Sequence, residues 1–376
     1  MHVLFVAQND FLGDNNNGGI AITRRNYGVL KNVLGETNID VAMISLDNTS
    51  KGFQSNPNAI WIEGNIRGFR NVINEVFNHT YITAKGEKQL FSALVKNKYD
   101  VVWLDSTHYG TIAKKIKERI TTKIVSYAYD FESEYMKMYC MPSLRHPQYY
   151  LKMHRVRQNE RNALLYSDRF ICISDRDRES YLRTYGKEVD LVYPVTLEDR
   201  FDKNIVENGK KMRDYFLFVG SYFKPNIEGI MWFALNVATK IDADIYVVGK
   251  GMENIDSQKF PPNIKVKGGV EDLGEYYVNA IGVIMPIFSG SGMKVKTAEA
   301  MMYGKPILGT DEALRGYAVD SLEGIYRCNT KEEFLNAIGT VLKKSNYYYQ
   351  DIRDYYDSFC NTANMQEKIR ELIYGL

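Results

Sequence analysis

The stretch FSGSGMKVKTAEAMMYGKP, residues 288–306, puts two glycines and two serines after an apolar run. Two lysines follow, then one glutamate among alanines. A strand, a tight glycine loop and a helix in that order make an anion site. Gly290 and Gly292 let the backbone come close to a ligand, and the first helical N–H groups point outward without partners. The helix dipole adds about 0.3–2 kcal/mol for a nearby negative charge. Lys294 and Lys296 offer cationic contacts, and Gly304 followed by Pro306 stops the helix. Glu299 lies seven residues past Gly292, about 10 Å along the helix axis. Its side chain leans back toward the N-terminus. An acceptor there sits one sugar's width from a bound phosphate and suits a ribose diol. A surface glutamate paired with Lys296 is the plainer alternative. No G-x-G-x-x-G and no GxxxxGK[ST] occurs, which weighs against a dinucleotide oxidoreductase and a P-loop ATPase.

Other candidates lie in the first half. Asp130 follows one strand and His108 follows another. A carboxylate at 130 could take a proton or steady a positive sugar; capping the helix that begins at Phe131 is the alternative. For His108 the alternative is a satisfied loop or core histidine. Arg24 and Arg25 open the exposed side of the first helix, for a ligand or for solvent. Residues 145–169 hold six Arg or Lys and two acids, with Tyr149, Tyr150 and Leu151 between them. That pattern suits an anionic membrane or a lipid-diphosphate acceptor, or a solvated helix face.

These residues need elements to hold them. Strands are expected at 2–7, 39–46, 101–104, 123–128 and 169–173, and helices at 20–34, 111–120, 148–166 and 176–185. Repeated strand-then-helix order argues for a parallel sheet with helices on both faces. Residues 195–214 are polar and weakly periodic and read as a linker. The alternation then restarts. Strands are expected at 215–219, 245–248, 264–266, 281–288 and 307–308, with helices at 227–241, 273–280 and 293–303. Two last helices are expected at 331–344 and 351–374, the first opened by a Thr330–Glu333 capping box. The fold class is α/β, two Rossmann-like doubly wound domains facing a cleft. The first spans 1–195 and is joined by the terminal helix 351–376; the second spans 196–350. The tyrosines at 347–349 read as packing.

Composition fits this. Of 376 residues, 45% are hydrophobic and 25% charged, with a net charge of +2, so nucleic acid is not an expected partner. The longest apolar run, AIGVIMPIF at 280–288, is too short to span a membrane. The N-terminus reads as a strand rather than a signal peptide. Cys140, Cys172, Cys328 and Cys360 are far apart, form no metal-type pairs and fit free thiols in a reducing cytosol. A cytoplasmic protein, peripheral at the inner membrane face where the basic stretch engages lipid, is the expectation.

The segment GSGMKVKTAEAMMYGKPILGT resembles the nucleotide-sugar motif of glycosyltransferase family four, the glycosyl transferases group 1 with the GT-B fold. FLFVGSYFKPNIEGIMWF and VKGGVEDLGEYYVNAIGVIMPIF resemble neighbouring blocks of that family's C-terminal domain. FICISDRDRESYL and NNNGGIAITRRNYGVL resemble pieces of its N-terminal domain. The resemblance is specific over 216–316 and thin over 1–195. It implies that the second domain holds the nucleotide, with Glu299 on the ribose hydroxyls and the backbone of Gly290, Ser291, Gly292 and Met293 on the diphosphate. Lys224 and Lys294 become candidate partners for its charge, with Lys296 less directly placed. Val270, between Gly269 and Glu271, would lie by the base. Gly18 and Gly19 would approach donor or acceptor. Many members carry two glutamates with seven residues between them; here the first position is Ser291, and the missing glutamate usually contacts the donor sugar. A histidine common in the family's first domain is replaced around Ala128 and Asp130.

The implied activity is transfer of a sugar from a nucleoside-diphosphate sugar, a UDP-sugar in the first instance, to a glycan or lipid-linked acceptor. Retention of configuration is implied, with Asp130 and His108 as the catalytic candidates. No cofactor and no metal is expected. The nearest D-x-D, Asp175-Arg176-Asp177, lies away from the donor loop. Two other readings stay open: a non-catalytic GT-B-like partner subunit, and a GT-B sugar-nucleotide epimerase.

Overall fold

The computed structural model describes residues 1–8, 11–12, 18–45, 59–64, 81–140, 147–201, 215–290 and 292–376. The chain divides into two compact units: Met1–Pro194 with Met365–Leu376, and Val195–Asn364.

The first unit is built on a parallel sheet. Its strands are β1 (Val3–Gln8), β2 (Ile39–Ser45), β3 (Ile60–Glu63), β4 (Val101–Leu104), β5 (Lys123–Ala128), β6 (Arg169–Cys172) and β7 (Leu191–Val192). Their order is β3-β2-β1-β4-β5-β6-β7. The helices are α1 (Gly18–Leu34), α2 (Ala84–Asn97), α3 (Gly110–Arg119), α4 (Glu132–Cys140), α5 (Pro147–Tyr166) and α6 (Asp175–Tyr185). Strand residues alternate between two cores, as a period of two demands. Val3, Phe5 and Ala7 join Val29, Leu30 and Val33 of α1 on one face, with Met365, Ile369 and Ile373 from the end of the chain. Leu4 and Val6 join Leu90 and Leu94 of α2 and Ile112 and Ile116 of α3 on the other.

The second unit repeats the plan with β8 (Tyr215–Val219), β9 (Asp244–Val248), β10 (Ile264–Gly268), β11 (Gly282–Met285), β12 (Ile307–Gly309) and β13 (Ile325–Arg327), in the order β10-β9-β8-β11-β12-β13. Its helices are α7 (Lys224–Asn236), α8 (Leu273–Asn279), α9 (Val295–Met302), α10 (Lys331–Leu342) and α11 (Gln350–Tyr355). A π-turn, Tyr356–Cys360, leads into α12 (Thr362–Tyr374). Every residue of β8 and β11 is buried, so both strands are central and covered on both faces.

Several expectations shift. The helix expected from 227 begins at Lys224, because Pro225 in its first turn is preset for helix entry. The terminal helix expected over 351–374 is broken by the π-turn, and residues up to Asn364 belong to the second unit. Arg353 accounts for this. It is buried, donates to the Met302 carbonyl at 2.7 Å and pairs with Asp199 and Asp357. Ile352, Tyr356 and Cys360 are fully buried beside it. β3, α2, β7 and β13 were not expected from the sequence. The Thr330–Glu333 capping box is present. Tyr348 stacks on Phe201 with ring centroids 5.8 Å apart. Cys172, Cys328 and Cys360 are free and buried.

Candidate functional site

In the second unit the chain passes from β8 outward through β9 and β10, then returns to the other side of β8 for β11. The direction of winding therefore reverses between β8 and β11, and ligands of open parallel sheets bind beyond the carboxyl ends of the strands at such a point. Two loops occupy it: 220–223 after β8, and 286–294 after β11. The second is the glycine–serine loop of the sequence.

Gly290 has φ 147° and Gly292 φ 61°. Both values lie where a Cβ is strained, which is the local reason for glycine at these positions. Ser291, between them, lies outside the described residues. Met293 is buried and touches the space over Gly316. Lys294 caps α9 and donates through its ammonium to the Gly292 carbonyl at 2.8 Å and to Glu312 Oε1 at 2.8 Å. Glu312 is itself buried and holds Arg315 through its other oxygen at 2.5 Å. The loop is thus braced from the end of β12, which local sequence gives no sign of.

Lys296 lies in the first turn of α9. Its ammonium donates to Asn226 Oδ1 at 2.6 Å and sits 5.2 Å from the centroid of the Phe218 ring. Burial, with the Lys294 charge adding to it and Glu299 opposing, pushes its pKa down to about 7. Asn226 was not expected in the site; it belongs to the first turn of α7, 70 residues away in sequence. Glu299 is half-buried. The hydroxyl of Tyr277 on α8 donates to its Oε2 at 3.0 Å, and Tyr277 is stacked on Tyr303 at 5.0 Å. Burial raises the Glu299 pKa, while the Tyr277 hydrogen bond, Lys296 and Arg200 hold it down. The structure therefore favours neither a solvated surface glutamate nor a Lys296 ion pair. It shows a carboxylate with one oxygen fixed by a buried tyrosine.

The remaining donor-side candidates are more open. Lys224 begins α7, is 72% exposed and lies 3.7 Å from Glu228. Val270 is half-buried between exposed Gly269 and Glu271, after β10.

In the first unit the winding reverses between β1 and β4. His108 follows β4 in a short 3-10 turn capped by Ser106. Its ring stacks on Tyr81 at 4.3 Å, and its Nε2 lies 3.7 Å from the Glu132 carboxylate. Asp130 follows β5, is half-buried, and accepts a long 3.4 Å contact from Tyr181 at its carbonyl. Gly18 and Gly19 begin α1, and the Gly19 carbonyl meets the Thr23 hydroxyl at 3.2 Å. The arginine reading needs correction at Arg25, which is buried rather than solvated. It donates to the Pro194 carbonyl at 2.6 Å and the Tyr127 hydroxyl at 2.7 Å, and covers the Tyr193 ring. Beside it lies buried Asp105, also missed. It accepts from Asn26 at 2.7 Å, from Trp103 at 3.0 Å and from the Tyr129 hydroxyl. This network ties α1 to β4 and β5. The basic stretch is likewise mixed. Arg155 and Glu160 of α5 are buried, whereas Tyr150 and Leu151 are exposed. Asp175 and Asp177 open α6; Asp177 is buried on Ser174, and Asp175 pairs with Arg178. Among the described residues no group of three or more His, Cys, Asp or Glu side chains could hold a metal ion.

Two parallel-sheet Rossmann-like units in one chain are the GT-B architecture. Solved structures of that shape are similar over the whole chain. Sucrose-phosphate synthase from Thermosynechococcus elongatus has a TM-score of 0.73 at 14% identity, covering 100% of this chain and 99% of that one. HepE from Anabaena, in complex with UDP and glucose, has a TM-score of 0.70 at 11% identity, covering 100% of both. Residues 213–344 match the family model described as Glycosyl transferases group 1. A Klebsiella pneumoniae relative, described as an uncharacterized 44.6 kDa protein in cps region, is 22% identical over 298 residues, 72% of each chain.

Proposed function

We propose that this protein moves a sugar from a nucleoside-diphosphate sugar to a glycan or lipid-linked acceptor, with retention of configuration and without a metal, in polysaccharide synthesis. The observation that carries the reading is the second unit's winding reversal. There a glycine loop, the start of α9, a half-buried lysine and a tyrosine-held carboxylate converge. In transfer, the bond from the sugar's anomeric carbon to the diphosphate oxygen breaks and one to the acceptor oxygen forms. Negative charge grows on the diphosphate. Preorganised N–H groups and cations aimed at that charge lower the barrier. The 290–293 backbone is suited to the diphosphate and Glu299 to the ribose diol; Val270 is proposed to lie by the base. Asp130 is the proposed base for the acceptor proton, with His108 as the second catalytic-side candidate. The cps-region relative supports polysaccharide as the product class, and the HepE complex supports UDP as the donor nucleotide.

Incubating the protein with UDP-, GDP- and ADP-sugars and a mixed glycan and polyprenyl-phosphate acceptor set tests the reading. Release of nucleoside diphosphate that depends on the acceptor and survives EDTA is expected. Donor conversion to an isomeric sugar nucleotide without acceptor would replace this reading with the epimerase. Donor binding without any turnover would replace it with the partner subunit.

A further inference from the structure

The cations around the donor loop are not equivalent. Lys294 is engaged by Glu312 and the Gly292 carbonyl, and Glu312 is further engaged by Arg315. Lys224 is out in solvent beside Glu228. Lys296 differs from both. Its amine lies between β8 and α7 and donates to a neutral amide oxygen. Among the described residues no carboxylate lies within ion-pair distance of it. The Asn226 amide is fixed in turn, because its Nδ2 donates to the Ser221 carbonyl at 2.9 Å and so leaves its oxygen for the amine. An ammonium held by a neutral acceptor beside a second cation, with Glu299 favouring its charge only at longer range, is poorly compensated.

Resting on the donor-site reading above, we infer that Lys296 is the proton-linked cation of the site, an amine that gains its proton as the diphosphate binds. The groups around it support this. On its own helix Lys294 opposes its charge and Glu299 favours it; β8 presents the Phe218 ring and α7 the Asn226 amide. Of the groups behind these, Glu299 is shared with Tyr277 of α8 and Arg200, and Lys294 is shared with Glu312. An arriving diphosphate supplies the missing counter-charge. The proton comes from solvent and bonds to the Nζ lone pair.

The sign follows from where the free amine titrates, at about 7. Below that pH the amine is already charged and binding takes up no proton. Above it binding takes up close to one, and affinity falls about tenfold per pH unit until the raised pKa of the complex is passed. Calorimetric titration of UDP near pH 8, in two buffers of different ionisation enthalpy, reads the uptake directly. The nucleotide's own phosphate, with a second pKa of about 6, is then ionised and silent. Close to one proton taken up is expected, with no net uptake in Lys296→Met. UDP binding without proton uptake by the wild type overturns the inference and leaves the donor site standing. If none of UDP, GDP and ADP binds, the donor site falls and the inference with it. Should Lys296→Met fail to fold, the wild-type buffer comparison still decides.

Discussion

Glu299 and Tyr277 show how a polar site is set into a core. Tyr277 is buried, stacked on Tyr303, and spends its hydroxyl on one oxygen of Glu299. The other oxygen is the one proposed to meet the ribose. A charged hydrogen-bond pair to a ribose diol is worth about 1.5–3 kcal/mol, so Glu299→Ala should weaken UDP binding about 10- to 150-fold. Tyr277→Phe should weaken it less, about 3- to 10-fold, because it frees the carboxylate without removing it. Equal affinity of wild type and Glu299→Ala in a calorimetric titration would refute the ribose assignment. Glu299 could be singled out in the sequence because its spacing from Gly292 sits within one loop and helix. Tyr277, Asn226 and Glu312 could not. Each reaches the site from a different element, and side-chain hydrogen bonds across 18 to 70 residues leave no local pattern.

At the scale of elements, the site depends on how closely α7 lies over the end of β11. A Cβ built on Gly229 would stand 2.0 Å from the Pro286 carbonyl oxygen. Gly229→Ala must therefore push α7 outward, taking Asn226 and the 220–223 loop with it. The expected cost is at least about 1–3 kcal/mol, as for overpacking in a core, with a melting temperature lower by several degrees and weaker nucleotide binding. An unchanged melting temperature would show that the helix is not clamped there. Most elements of both sheets could be read from strand–helix alternation, since covered parallel strands are short apolar runs. The exceptions have physical reasons. β7 and β13 have two and three residues, too few to show a period. α2 carries only Leu90 and Leu94 fully buried beside Gly86, so its apolar stripe is thin. The break at Tyr356–Cys360 follows from the side chains that Arg353 and its neighbours bury, while the helical pattern itself runs on.

At the scale of the molecule, the end of the chain completes the first unit's core. Met365, Ile369 and Ile373 are 4%, 1% and 0% exposed there. Each buried side chain of this size contributes about 1.5–3 kcal/mol, and their sum approaches the whole stability of a typical domain. Truncation after residue 364 should leave the first unit aggregation-prone or unfolded, read by soluble yield and loss of a cooperative melt. A truncated chain that melts like the full one would contradict this. No helix among the described residues is long and apolar enough to cross a membrane. The central claim is that the winding reversal of the second unit holds the donor's nucleoside diphosphate. A crystal structure of the protein with UDP tests it most directly. The diphosphate is predicted on the backbone of residues 290–293 with the Lys296 amine within hydrogen-bond distance, and the ribose hydroxyls on Glu299. UDP bound elsewhere, with that loop unoccupied and Glu299 still facing only Tyr277, would contradict the account.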